Sequence, residues 1–459
     1  MRGRVTRKYF ATISTLLVCA VTTPTRAASI AVTNTNDSGL GSLRHALAMA
    51  NDGDTINFAV TGTITLTSGG LSINKNITIS GPGADQLSID GNQAIVVFGV
   101  FYGKAATISG LAARNAQSGV LNEGTVTVTN CVLSGNSYDG LSNYGVAAVS
   151  SCVLTGNLYD GLYSYEGETT VSNSVVSGNS GGGLFNDVNF GPNNPVVGFG
   201  SMTVSDSIIS DNSGPGVWNY SFLTILDSTL SGNSAGQALD GGGIRSGTFK
   251  APGGVTVINS TISGNSASGG GGGIANIYGG VTIVNSTISG DSAGEGGGIA
   301  NYSGGVQVSN STMSGNSAGS GGGIYNVAGQ FGGALETSNT IFNAGVSGEN
   351  IVNDGGTVTS HGYNVCSDNG SGLLNGPGDQ INTDPLLGPL QDNGGPTLTH
   401  MPLPGSPTID AGDPNFTRPP FHDQRGPCFY RVFGRRIDIG SVETQPRPRC
   451  VSPAPRPSP

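Results

Sequence analysis

Three near-identical segments between Val255 and Asn326 constrain this chain more than any other feature. Val255-Thr-Val-Ile-Asn259-Ser-Thr-Ile-Ser-Gly-Asn265, Val281-Thr-Ile-Val-Asn285-Ser-Thr-Ile-Ser-Gly-Asp291 and Val306-Gln-Val-Ser-Asn310-Ser-Thr-Met-Ser-Gly-Asn316 share one pattern. Each leads into a glycine run ending in Gly-Gly-Gly-Ile, at Ile274, Ile299 and Ile324, with Asn276, Asn301 and Asn326 two residues on. A fixed internal period sets the architecture before any local reading does. Counterparts of Asn265 recur at Asn136, Asn157, Asn179, Asn212, Asn233, Asp291 and Asn316, with gaps of 21, 22, 33, 21, 32, 26 and 25 residues. Eight residues earlier runs an apolar column (Val128, Val149, Val171, Val204, Ile225, Val257, Ile283, Val308). Three residues earlier runs a second, from Leu133 to Met313, and six earlier a polar one, from Asn130 to Asn310.

Columns that survive insertions of variable length need units stacked in register. A unit of 21 to 25 residues made of short strands and polar turns cannot bury its apolar face alone; stacking buries it. Leucine-rich repeats share the length but not the leucine spacing, and helical repeats do not tolerate 78 glycines. A parallel β-helix is expected, with turns about 4.8 Å apart. The Asn130 column is expected to form an amide ladder at a turn, bonding along the axis. Before the stack, Leu43, Ala46, Leu47 and Ala50 fall on one helical face behind Ser42 as N-cap and ahead of Asn51-Asp-Gly53. This predicts a short helix plugging the open end of the sheet. The expected organisation is a signal segment over 1–28, a cap over 29–54, the stack over 55–360, an irregular C-terminal region over 361–443 and a proline-rich disordered tail over 444–459.

Arg2, Arg4, Arg7 and Lys8 precede an apolar stretch, Phe10–Val21, too short to span a bilayer, and Thr25-Arg-Ala27-Ala28 offers a cleavage site. Export to the cell surface or medium is expected, with no integral membrane span. Without the five basic residues of the leader, 14 Lys and Arg face 29 Asp and Glu. Between Arg114 and Arg418 only Arg245 and Lys250 are basic. Nucleic acid needs a basic stripe, and polyuronate lyases need cations to abstract protons and neutralise carboxylates; both are disfavoured. Beyond the leader stand Cys131, Cys152, Cys366, Cys428 and Cys450, an odd set with no zinc spacing. Cys131 and Cys152 share a column in adjacent units, where a disulfide and two stacked thiols are both open. No metal or other cofactor is expected, and a monomer is.

Val32-Thr-Asn-Thr-Asn-Asp37, Gly41-Ser-Leu-Arg-His-Ala-Leu-Ala-Met-Ala-Asn51 and Asp54-Thr-Ile-Asn-Phe58 resemble the CSLREA-type N-terminus of secreted β-helix proteins. Gly41 stands where that family has cysteine, and His45 where an acidic residue is usual. The Ser-Gly-Asn-Ser-Ala and Gly-Gly-Gly-Ile repeats resemble those of polymorphic outer membrane proteins and of right-handed parallel β-helices. Asp384-Pro-Leu-Leu-Gly-Pro-Leu-Gln-Asp-Asn-Gly-Gly-Pro-Thr-Leu-Thr-His400, Gly405-Ser-Pro-Thr-Ile-Asp-Ala-Gly412, Asp423-Gln-Arg-Gly426 and Asp438-Ile-Gly-Ser-Val-Glu443 are similar to the choice-of-anchor Q domain. The resemblance implies an all-β, right-handed solenoid exported by a bacterium and names no reaction.

Chemistry is expected where the repeat departs from its template. Asp139 and Asp160 occupy one position in successive units, so stacking sets them about one turn apart, close to the roughly 5 Å of retaining glycosidases. Tyr138, Tyr144, Tyr159, Tyr163, Tyr165, Phe185, Trp218 and Tyr220 cluster in the same units. Aromatic faces beside carboxylates suit neutral sugars. The plainer reading of Tyr-Asp-Gly-Leu is a turn whose Asp holds the backbone and whose Tyr covers it. Asp291 and Glu295 read as a solvated turn. The residues thus favour a non-catalytic protein of adhesion or surface interaction with a glycan as ligand. The alternatives are a glycoside hydrolase or lyase acting on neutral polysaccharide through Asp139 and Asp160, and a passive structural envelope protein.

Overall fold

The computed structural model describes residues 27–93, 96–190, 196–236, 240–330 and 332–446. Nearly all of the expected signal segment, Cys450 and most of the expected tail lie outside these residues. Each turn of the chain contributes one strand to each of three parallel sheets, of 14, 13 and 12 strands. One turn is Thr125–Thr129, Val132–Ser134 and Leu141–Asn143, and the next is Val146–Ser150, Val153–Thr155 and Leu162–Tyr165. Val128 pairs in register with Val149, and Leu133 with Leu154. Strand alternation sends one residue of each pair inward, so both apolar columns lie in one continuous core and are buried throughout. The chain is therefore the expected parallel β-solenoid.

The stack begins with Ser29–Val32 paired to Thr55–Phe58, and the helix Leu43–Met49 lies between them in sequence. The Ser42 side chain accepts the His45 amide, and Leu43, Ala46 and Leu47 are buried against the end of the core. Arg44 fixes the plug by donating to the carbonyls of Gly69 and Gly70 and to Asp37. The 33-residue spacing after Asn179 is taken up by an antiparallel hairpin, Asn189–Phe190 with Val196–Gly198, outside the stack.

The continuous amide ladder runs in a different column from the one expected. Asn136, Asn157, Asn179, Asn212 and Asn233 each donate Nδ2 to the side-chain oxygen of the next residue in the column at 2.8–2.9 Å. Each main-chain amide bonds the same oxygen at 3.0–3.2 Å. The Asn130 column instead holds the left-handed conformation, with φ from 45° to 55° from Asn130 through Asn310. Asn and Asp recur there because they tolerate that conformation at a sharp turn, and Asn285 also donates Nδ2 to Asn259 Oδ1 of the preceding turn at 2.7 Å, the axial bond expected of this column. A second ladder includes Asn276, Asn301, Asn326 and Asn353, linked at 2.7–2.8 Å. In a third column, Ser174, Ser207, Ser228 and Ser260 each return a hydroxyl to the carbonyl two residues back at 2.6–2.7 Å. Cys131 and Cys152 occupy that column as free, buried thiols, donating to the carbonyls of Thr129 and Ser150 at 3.3 and 3.2 Å. Cys366 is likewise free and buried, and Cys428 is disulfide-bonded.

Asp291 is no solvated turn; it is wholly buried as a member of the first ladder. Its Oδ1 accepts both the side-chain and main-chain amides of Asn265, at 2.9 and 2.8 Å. Its Oδ2 takes the place of an amide NH₂ and has no donor facing it. Only a protonated carboxyl satisfies that position, and burial pushes Asp291 up to about 8. The neutral form is favoured in the folded chain, so its contribution is fully present below the ordinary carboxylate range and is lost as pH rises towards about 8. Asp291→Asn should raise the melting temperature in mildly alkaline buffer and leave it nearly unchanged in acid. Thermal melts across pH check this; equal shifts at both ends would contradict a protonated ladder.

The C-terminal region folds back along the outer face of the 13-strand sheet. Gln424 donates Nε2 to the Ser260 carbonyl at 3.1 Å and to Thr261 Oγ1 at 2.9 Å, and accepts the Thr287 hydroxyl at 2.6 Å. His400 meets Ser289 at 2.9 Å. Arg431 is fully buried and donates to Asn310 Oδ1 and to the carbonyls of Asp438 and Gly440. Arg425 grips Asp423 at 2.6 Å, and Asp423 also accepts the Glu443 amide. Asp423-Gln-Arg-Gly426 and Asp438–Glu443 are thus the clasp that holds this region to the stack. Gln424→Leu leaves buried donors and acceptors unmatched and should cost about 1–3 kcal/mol, read as an earlier denaturation midpoint.

Candidate functional site

The 12-strand sheet builds the candidate site. Leu141, Leu162, Leu184, Val217 and Ile244 point into the core, so the next residue of each strand points out. Register makes those residues one column: Ser142, Tyr163, Phe185, Trp218 and Arg245. Stacking along the axis brings the rings together. Tyr163 meets Phe185 edge-on at 5.4 Å, and Phe185 stacks on Trp218 at 5.2 Å and 18°. The guanidinium of Arg245 caps the run, 4.9 Å from the Trp218 ring.

Two further columns flank this one. On one side Tyr144, Tyr165 and Tyr220 follow the buried Asn/Ser ladder; Tyr144 lies 5.9 Å from Tyr165, and Tyr220 lies 5.6 Å from Phe185. On the other, Tyr138 and Tyr159 stack at 4.7 Å and 7°, about half exposed. Six of the eight aromatic residues singled out in the sequence are thus linked by ring contacts, with Phe185 at the centre, and Tyr138 and Tyr159 form a separate stacked pair in the same turns. Asp187 belongs to it too, accepting the Tyr163 hydroxyl at 2.9 Å. Burial and the Asp187 charge together hold the Tyr163 phenol above its ordinary value. Asp187 and Arg245 were not among the expected site residues. Register alone would have found Arg245, because it follows Gly-Gly-Gly-Ile244 as Ala275 follows Gly-Gly-Gly-Ile274.

Asp139 and Asp160 do meet in successive turns. Asp139 is 7% exposed; its Oδ2 accepts the Ser142 hydroxyl at 2.8 Å and its Oδ1 the Asp160 amide at 3.2 Å. Burial raises both carboxyls, and the neighbouring Asp139 adds to the effect at Asp160, which is pushed up to about 7. A Cβ at Gly181 or Gly182 would lie 3.0–3.1 Å from the Asp160 carboxylate, so glycine there leaves it room. The pair holds two consecutive turns, and no sugar ring fits between an Asp139 oxygen and the amide it accepts. Among the described residues, no three His, Cys, Asp or Glu side chains converge as a metal site. An open depression elsewhere, lined by Gly319, Ser320, Gly348, Glu349 and Asp368, carries no aromatic ring.

Residues 119–276, which include this surface, match the family described as right handed beta helix region. With three parallel sheets in register, the chain is a right-handed parallel β-helix. No curated protein matches it. Among solved structures it is similar to pectate lyase Pel9A, at 17% identity over 91% of this chain and 96% of that one, with a TM-score of 0.50. It is also similar to the Agl-KA catalytic domain (17% identity, 70% of this chain and 64% of that one, TM-score 0.44). A third is the A-module of mannuronan C-5 epimerase AlgE6 from Azotobacter vinelandii (15%, 73% and 91%, TM-score 0.42). These likenesses are of fold.

Asp139→Asn keeps an acceptor for the Asp160 amide and removes the adjacent negative charge. The Asp160 carboxyl should then titrate at lower pH, though still above an exposed Asp because burial persists. Carboxyl-carbon NMR titration reads this directly; an unmoved midpoint would mean that the two carboxyls do not interact.

Proposed function

We propose that this chain is a secreted or cell-surface β-helix protein that binds a glycan, without transforming it, on the surface running from Tyr138 to Tyr220. One observation carries the reading: rings recurring turn after turn in neighbouring columns of one face, linked by contacts from Tyr144 to Tyr220. The exposed tyrosine rings and the outward edges of Phe185 and Trp218 take the apolar faces of a pyranose, while the phenol hydroxyls and Asp187 at the margins take its hydroxyls. Asp139, buried and engaged through both oxygens, serves the turn. The leader-like residues 1–28 and the resemblance to CSLREA-type, polymorphic outer membrane protein-like and choice-of-anchor Q proteins support export and surface placement. The acidic surface is a poor match for an anionic polymer such as the pectate in the name of Pel9A.

A second reading, a hydrolase or lyase of neutral polysaccharide, is favoured by Asp160, whose carboxyl is held near neutrality as a general acid requires. A glycan array probed with the full chain and with Phe185→Ala and Trp218→Ala separates the readings. Binding should fall about tenfold or more in each variant, the usual effect of removing a central aromatic anchor. No array signal, or signal indifferent to both variants, would overturn glycan binding on this surface. Release of reducing ends that is lost in Asp160→Asn would replace it with the enzymatic reading.

A further inference from the structure

We propose that the glycan held on this surface is a polycationic amino sugar chain, carrying free amines and lying parallel to the β-helix axis. The inference rests on the binding surface described above and names its ligand class. Its first basis is direction. The ring columns run along the axis, one ring per turn, and the turn spacing of about 4.8 Å is comparable to one sugar of an extended polymer. From Tyr138 to Trp218 the rings span four consecutive turns. A chain lying along one strand would meet one or two rings; a chain lying along the axis meets Tyr163, Phe185 and Trp218 in succession.

The second basis is charge. Residues 115–244 include the turns that carry this surface and contain ten Asp and Glu and no Lys, Arg or His; Asp206 and Asp227 among them lie at the Asn130-column turn, away from the rings. Glu123 and Glu166 border the tyrosine column, Asp187 accepts from the central Tyr163, and Asp160 lies beside the Tyr138–Tyr159 stack. The first cation after this stretch, Arg245, is already engaged, over Trp218 and donating to the Tyr220 hydroxyl at 3.3 Å. An anionic polymer meets repulsion from Glu123, Glu166 and Asp187, and a neutral one gains only hydroxyl hydrogen bonds from them. An ammonium group gains twice, from the carboxylates and from the exposed tyrosine rings, such as Tyr144 and Tyr159, beside them. Burial holds the Asp187 carboxyl above its ordinary value, and an amine placed against it would restore its charge.

The test uses the full chain and three probes: a glucosamine hexamer, its fully N-acetylated counterpart and a galacturonate hexamer. Calorimetric titrations are run at about 0.1 M and about 1 M salt, between which the screening length falls from about 10 Å to about 3 Å. The glucosamine hexamer should bind at least tenfold more tightly than the N-acetylated chain at low salt. That advantage should shrink at high salt and in Asp187→Asn and Glu166→Gln, and the galacturonate should not bind. Equal or tighter binding of the N-acetylated hexamer overturns the cationic assignment and leaves glycan binding standing. Failure of all three probes counts against both. Glucosamine binding indifferent to Phe185→Ala and Trp218→Ala would mark diffuse attraction to an acidic protein and would overturn the assignment to this surface.

Discussion

Every feature of this protein depends on one constraint: like residues must sit directly above one another from turn to turn. Main-chain pairing imposes the register, and side chains enforce it wherever the backbone turns away from a sheet. At those corners carbonyls and amides lose their strand partners, and a buried polar group without a partner costs about 1–3 kcal/mol. Asn136 and its successors remove that cost by bonding the next turn with both side chain and main chain. A repeat with few charges and 78 glycines is thereby ordered without a thick core. Asp291 shows what the position favours, since burial pushes its carboxyl up to about 8, towards the protonated form that imitates an amide.

The same register that orders the stack assembles the surface. A side chain on the outside of one turn has as neighbours the equivalent side chains above and below, whatever the sequence distance. Phe185 and Trp218 are 33 residues apart, separated by a hairpin insertion, and their rings stack at 5.2 Å. Where successive turns place a ring at one position, the result is a continuous strip with a direction. Where they place alanine, as at Ala275 and Ala300, the sheet is bare and buried beneath its neighbours. The most regular turns, from Val255 to Asn326, are occupied on another face by the C-terminal clasp. The less regular turns before them are left facing solvent.

Much of this was legible in the sequence. Period, apolar columns, capping helix and the clustering of the aromatic residues follow from spacing alone, because a solenoid converts sequence offset into spatial adjacency. Two assignments went astray for a shared reason. The Asn130 and Asn136 columns are both Asn-rich, but the first is set by a left-handed backbone, with an axial amide bond between Asn285 and Asn259, and the second by a buried side chain that carries the continuous ladder; composition does not distinguish these. Asp291 looked solvated because it is a carboxylate; its burial follows only from membership of the second column. The docking of Gln424 and Arg431 was not legible, since it joins residues more than 100 positions apart and belongs to no period.

Trp218 is the only tryptophan in the chain and stands on the proposed surface, stacked on its central Phe185, which makes the central claim directly measurable. Its fluorescence should shift and saturate as an amino sugar oligomer is titrated into the full chain, and the ring should become protected from a neutral quencher. Emission and quenching that remain unchanged at ligand concentrations where calorimetry detects binding would place the ligand elsewhere and contradict the account.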